Sequence, residues 1–392
     1  MYGFRKPYAV AAYAGLSLGP LDLKDALIIS QLVGYTISKY VGIKICSEIP
    51  PRRRAVALVV LIVWAEAALL LMGLLPPSLQ PIALLLNGLP LGAVWGLVFG
   101  FLEGRRTTDL LGAGLSCSYI VASGAVKSMG QIWLGLGVPE RWMPFVTGLC
   151  FLAPFLAAVW LLDQIPPPSR QDVDLKTARE PMDSRARYAF LRRFLGGLLP
   201  LVILYFFLTA LRDYRDNYSK EIWSTFDLGD QAVVYAAPEL LIALSVMGAL
   251  AFLTIFRNNR TAVRVIYAMM MTGAALIGLA TLCFELGILS GPVWMTLVGM
   301  GLYLAYVPFG AMLFDRIIAL LGTVATAVFT IYLTDAVGYT GSIVVILYKK
   351  FGHAQLSKLE FFEGFCWFTS ALCLVCFAAS LVYFERRGSR RE

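Results

Sequence analysis

Eleven runs of about 20 predominantly apolar residues, separated by short polar gaps, set the limits on what this chain can fold into. They occupy 26–46, 55–75, 81–102, 110–133, 142–162, 194–214, 232–256, 262–282, 292–314, 323–347 and 361–384. A hydrocarbon core about 30 Å thick takes about 20 helical residues per crossing. Inside it the backbone must satisfy its own hydrogen bonds. Strands of a membrane barrel would be about 10 residues long and alternate in polarity. These runs are longer and do not alternate, so the fold class is all-α and polytopic.

A twelfth stretch, 2–19, carries Arg5 and Lys6 and is predicted as the first helix. At 1.5 Å per residue it reaches only about 28 Å. It is therefore expected to be truncated at its N-terminus, with roughly a dozen or more apolar residues encoded upstream in frame.

Composition closes other routes. The chain is 59% hydrophobic and 15% charged, against about 45–50% and about 25% in soluble proteins. A soluble enzyme, a nucleic-acid-binding module and a disordered protein are excluded. The net charge of +8 comes from Lys and Arg in the gaps between apolar runs. The seven Cys show no CxxC pair, and the single His is His353. With no HExxH and no Ser/His pair at mid-membrane, neither an enzyme nor a cofactor nor a metal is expected.

Residues 163–193 hold Pro166, Pro167 and Pro168 followed by charges of both signs, and cannot cross a membrane. They divide the stretches six and six. The predicted domains are a bundle at 1–162, a linker at 163–193, a bundle at 194–385 and a tail at 386–392. Gaps on the linker's side hold about three times as many Lys and Arg as those on the other, and about twice as many without the linker. The linker and tail are thus expected in the cytoplasm, in a bacterial inner membrane. A weak repeat relates Gly88–Val94 to Gly301–Val307, as two-half transporters require.

Ionisable groups inside a bilayer are costly and mark function or pairing. Several lie in stripes of helical spacing: Gln31, Tyr35 and Lys39; Tyr119, Ser123, Lys127 and Gln131; Tyr205, Thr209, Arg212 and Asp216; Tyr235 and Glu239; Tyr332, Asp335 and Tyr339. These faces predict one shared polar cavity, with the third, sixth, ninth and twelfth predicted helices (55–75, 142–162, 262–282 and 361–384) as lipid-facing scaffold. Glu66 is expected to pair with a basic neighbour. Lys127 and Asp335 are expected to approach each other across the halves in at least one state.

Tyr2-Gly-Phe-Arg5-Lys6 resembles the Tyr-x-x-Arg-Lys of the organophosphate:phosphate antiporters, a branch of the major facilitator superfamily. Gly34-Tyr-Thr-Ile-Ser38-Lys39-Tyr-Val-Gly42 is similar to that branch's Gly-[aromatic]-Ser-Lys-Phe-x-x-Gly, and Arg212 with Asp216 and Tyr218 resembles its seventh-helix pattern. The resemblance implies two six-helix bundles and a substrate phosphate held by Arg5 and Arg212, supported by Lys6 and Lys39. The branch's fifth-helix His is missing here, and Lys127 stands about a turn away. The resemblance thus implies a secondary transporter of a small organic anion or phosphate ester, expected to be monomeric, with substrate-binding residues Arg5, Lys6, Tyr35, Lys39, Lys127 and Arg212. Phosphate or protons are the candidate coupling ions. The alternatives are a proton-coupled symporter of another solute, using Glu239 or Asp335 for coupling, and a transporter-like membrane sensor. No nucleic acid is expected as a partner.

Overall fold

The structure is a computed structural model that describes residues 1–102, 108–166, 184–256, 258–322, 327–353 and 355–388. Most of the predicted linker therefore lies outside the described residues. Eleven long helical rods cover the eleven apolar runs. They are α1 (Leu23–Glu48), α2 (Arg54–Leu74), α3 (Gln80–Leu102), α4 (Thr108–Gly135), α5 (Met143–Asp163) and α6 (Ser184–Asn217). After a short α7 (Ser219–Ser224) come α8 (Val233–Leu253), α9 (Asn259–Glu285), α10 (Gly291–Pro308), α11 (Phe314–Leu321), α12 (Ala327–Gly352) and α13 (Lys358–Gly388). A π turn, Phe309–Leu313, joins α10 to α11 in one continuous rod. Among the described residues nine rods are both long and apolar enough to cross a membrane. The other two, α1 and α4, are longer than a crossing requires and carry most of the polar stripes of the first half.

The first stretch is not the predicted membrane helix. It forms two 3₁₀ turns, Tyr2–Phe4 and Pro7–Val10, then a two-residue hairpin pairing Ser17–Leu18 with Leu21–Asp22. Tertiary contacts outcompete helix formation here. Asn87 of α3 donates to the carbonyls of Phe4 and Ala65, each at 2.9 Å, and Gln31 of α1 donates to the carbonyl of Arg5 at 2.8 Å. At Phe4 and Arg5 those amides satisfy backbone oxygens that a helix would have satisfied internally. Tyr13 at φ 50° and Gly15 at φ 75° then turn the chain back toward α1.

Packing pairs α1 with α3, α2 with α3 and α5, α9 with α10 and α13, and α6 with α12 and α13. Small residues permit the tightest approaches. A Cβ at Gly34 would sit 2.3 Å from the Leu85 carbonyl, and one at Gly88 would sit 2.3 Å from that of Gln31. Two seams join the first half of the chain to the second: α1 against α12, and α4 against α8.

Consecutive rods run in opposite directions, so the bundle has two ends. At the linker end, Arg54 donates to the Gly100 carbonyl at 2.5 Å, and Arg264 near the start of α9 pairs with Glu385 near the end of α13 at 2.7 Å. At the far end, Glu140 accepts from the backbone N–H groups of Ala12 and Tyr13, each at 3.0 Å.

Candidate functional site

A cavity of about 410 Å³ lies between the halves. Its lining comes from the first residues of the chain and from α1, α3, α4, α5, α6, α10 and α12. On α5 the lining runs from Phe155 to Leu162, one residue short of the helix end, so the cavity extends to the linker end. Its floor toward the far end is formed by Met1, Tyr2, Arg212 and Tyr339. The run 142–162, predicted as the sixth helix and as scaffold, is α5 and lines the cavity instead. Its mid-membrane face is apolar, so no polar stripe marks it.

Arg212 is clamped. Its Nε and Nη2 donate to one Asp213 oxygen at 3.3 and 2.9 Å, its Nη1 donates to the Tyr306 hydroxyl, and the other Asp213 oxygen accepts from Ser342 at 2.7 Å. Arg5, only 1% exposed, is not among the residues that line the cavity, and it makes no ion pair among the described residues. Its Nε and Nη2 are buried without a hydrogen-bond partner. The guanidinium lies 3.8 Å from the Tyr35 ring centroid and 5.4 Å from that of Tyr339. Tyr339 also lies 5.3 Å from the Arg212 guanidinium, so one tyrosine of α12 is in cation–π reach of an arginine from each half.

Lys39 pairs with Asp335 at 3.0 Å across the α1–α12 seam, and Tyr205 donates to the second Asp335 oxygen at 2.6 Å. The Lys39 ammonium is within 6.0 Å of the Tyr35, Trp95, Tyr332 and Tyr339 ring centroids. Lys6 and Lys127 lie beyond the floor, where they share Asp216 at 2.5 and 2.7 Å, with Ser123 donating to the same carboxylate at 2.6 Å. Glu239 does not line the cavity. It accepts from Arg215 at 2.6 Å within the second half.

Lys127 and Asp335 do not meet in this conformer. α4 packs on α8, which brings Lys127 to the end of α6, whereas α12 packs on α6 and α1, which brings Asp335 to Lys39. Glu66 is corrected: both carboxylate oxygens are buried without a hydrogen-bond partner, against Gly148 of α5. Sequence reasoning passed over Arg215, Asn87 and Trp95. Arg215 was legible as the next turn of the Arg212 stripe. Asn87 and Trp95 sit in an otherwise apolar run with no periodic polar partner.

Six buried cations, Arg5, Lys6, Lys39, Lys127, Arg212 and Arg215, surround or underlie this cavity with three buried carboxylates, Asp213, Asp216 and Glu239, and the half-buried Asp335. The arrangement is positive by two charges, with Arg5 the cation furthest from neutralisation.

Membrane-length helices in two seamed halves around a polar cavity define a polytopic membrane protein with the fold of the major facilitator type. The chain belongs to a family described as Family of unknown function (DUF5690), which it matches over residues 7–387. Its fold is similar to that in the crystal structure of a D-xylose-proton symporter, with a TM-score of 0.62 and 16% identity over 97% of this chain and 94% of that one. No curated protein matches the sequence.

Proposed function

We propose that this protein is a secondary transporter of a small organic anion, with a phosphate ester as the first candidate. It works by alternating access, residues 1–162 rocking against residues 194–385 around the cavity. The observation that carries this reading is Arg5. A guanidinium held in the membrane core with no carboxylate partner has an incentive to take an anion, and its planar fork suits carboxylate or phosphate oxygens. Arg212, reaching the same tyrosine from the other half, makes the bound anion a link between halves. On this reading the chain is not an enzyme.

By the positive-inside rule the linker end is cytoplasmic. The cavity then faces the cytoplasm in this conformer. Closure on the opposite side comes from ion pairs between the halves: Lys6 and Lys127 with Asp216, Lys24 with Glu221 at 2.7 Å, and Lys358 with Asp25 at 3.1 Å.

The test is uptake and counterflow of phosphate esters and carboxylates in proteoliposomes. Arg5→Lys and Arg212→Lys keep the charge but lose the fork, and each is expected to weaken apparent affinity by about tenfold or more. Arg264→Lys, at the exposed linker end, is expected to leave it unchanged. Normal binding by both variants would sink the anion clamp.

A second reading, proton-coupled symport of another solute, is favoured by Asp335, which lines the cavity and accepts from both Lys39 and Tyr205. The similar fold of the D-xylose-proton symporter points the same way. Uptake of a neutral solute driven by a pH gradient, with no competition from phosphate, would select it.

A further inference from the structure

The cavity has room and walls for more than an anionic group. Along α12 its lining runs from Ile331 to Tyr339, about 12 Å of helix. Along α6 it runs from Tyr205 to Arg212, about 10 Å. The Arg212 guanidinium occupies only the floor. A bare phosphate against Arg212 and the neighbouring Arg5 would leave most of this length unfilled.

What lines the remainder is mostly apolar and flat, the Lys39–Asp335 pair being its charged exception. Trp95 of α3, Tyr119 of α4 and Phe155 of α5 are partly exposed and line the cavity, with Val98, Leu115 and Leu162 nearer the linker end. Trp95 is backed by Phe99, stacked at 5.0 Å and 9°, and Tyr119 by Tyr2, stacked at 6.3 Å and 13°. Rings supported in this way hold their orientation and present a fixed face to whatever lies beside them. Of the hydroxyls on the lining, Ser118 donates to the Leu115 carbonyl at 2.7 Å, and Tyr205 and Tyr306 are engaged by Asp335 and Arg212; the others belong to Tyr2, Tyr35, Ser116, Tyr119 and Tyr339.

Building on the anion-transport reading, we infer that the substrate is an aryl anion: a carboxylate or phosphate carried next to one flat, apolar ring. The charged group binds at Arg212 on the floor, in the field of Arg5, which is buried against the lining rings of Tyr35 and Tyr339. The ring lies toward the linker end among Trp95, Tyr119 and Phe155. A length of about 12 Å fits a charged group and one ring end to end.

Isothermal titration of the purified full-length protein with two matched pairs of probes tests this. Phenyl phosphate is compared with glycerol phosphate, and benzoate with acetate. The aryl member of at least one pair is expected to bind about tenfold tighter, the scale of a well-placed aromatic contact. Trp95→Ala is expected to bring that ratio toward one. Phe155→Leu, a milder change on another wall, is expected to reduce it in the same direction. Equal affinities within both pairs, lost in Arg212→Lys, would overturn the aryl assignment and leave the anion reading standing. Binding of neutral benzyl alcohol as tight as that of the aryl anions, or no binding of any anion, would overturn both.

Discussion

Lys39 of α1 and Asp335 of α12 meet at 3.0 Å in the seam between the two halves, with the Tyr205 hydroxyl closing the second carboxylate oxygen at 2.6 Å. Both charges are largely withdrawn from solvent, so the pair is more consequential when broken than when whole. Removing one partner of a buried pair costs about 3–5 kcal/mol, because the other is left uncompensated. Asp335→Asn is expected to lower both the unfolding midpoint in detergent and the transport rate. Adding Lys39→Gln should recover part of both. A double-mutant cycle with strictly additive losses would show that the two residues act independently.

The far end is held by a second set of charges. Lys24 pairs with Glu221 at 2.7 Å, Asp25 with Lys358 at 3.1 Å and Asp22 with Lys350 at 3.0 Å, each joining the first half to the second. The Tyr218 hydroxyl also donates to Asp25 at 2.7 Å. Glu221→Gln combined with Asp25→Asn should weaken this closure and populate a conformer open at the far end. Spin labels at Leu136 and Ile288, exposed positions on the two halves at that end, are expected to report a new, longer distance component by pulsed electron resonance. An unchanged distribution would mean that these pairs do not hold the halves together.

Gly124 marks the closest approach of α4 to α8. A Cβ there would lie 2.3 Å from the Tyr235 carbonyl and 2.9 Å from the Glu239 side chain. Backbone cannot yield as a side-chain tip can, so Gly124→Ala should force the helices apart at a cost of about 1–3 kcal/mol. Thermal unfolding should show the loss, and Gly114→Ala, where the added methyl meets nothing within 4 Å, should not.

Glu66 is expected to behave in the opposite sense. Its buried oxygens have no hydrogen-bond partner, and a polar group in that condition costs about 1–3 kcal/mol. Glu66→Met keeps comparable bulk and removes the liability. The variant should melt no lower than the parent and transport normally. Loss of transport with stability intact would give Glu66 a role in the cycle that its position between α2 and α5 does not suggest.

The eleven long rods were legible because a bilayer imposes length and apolarity together, and both are visible in one dimension. Lys39, Arg212 and Asp335 were legible for the complementary reason: a charge in an apolar run has few places to go. Partner choice was not legible. Lys127 and Asp335 hold nearly equivalent positions in two stretches, yet the seams α4–α8 and α1–α12 send them to Asp216 and Lys39. The opening residues were misjudged for a related cause. Their fate depends on Gln31 and Asn87, distant amides that compete for the carbonyls of Phe4 and Arg5. Trp95 and Phe155 were invisible because an aromatic ring in a membrane run looks the same whether it faces lipid or a cavity.

The π turn at Phe309–Leu313 also changes how the rod it interrupts can be read. It holds one residue more than a regular turn, which advances everything after it by about 100° around the axis. Gly310 then faces the cavity, while Phe309 packs on Tyr205 at 4.7 Å and on Phe377 of α13 at 6.4 Å. The segments before and after the turn are thus out of phase, each matched to a different set of neighbours. Excising one residue from 309–313 would restore a single phase along the rod and swing Phe314 and Ile317 out of the core they now fill. The surplus residue acts as a register mark, and the chain's length at this point is as specific as its sequence.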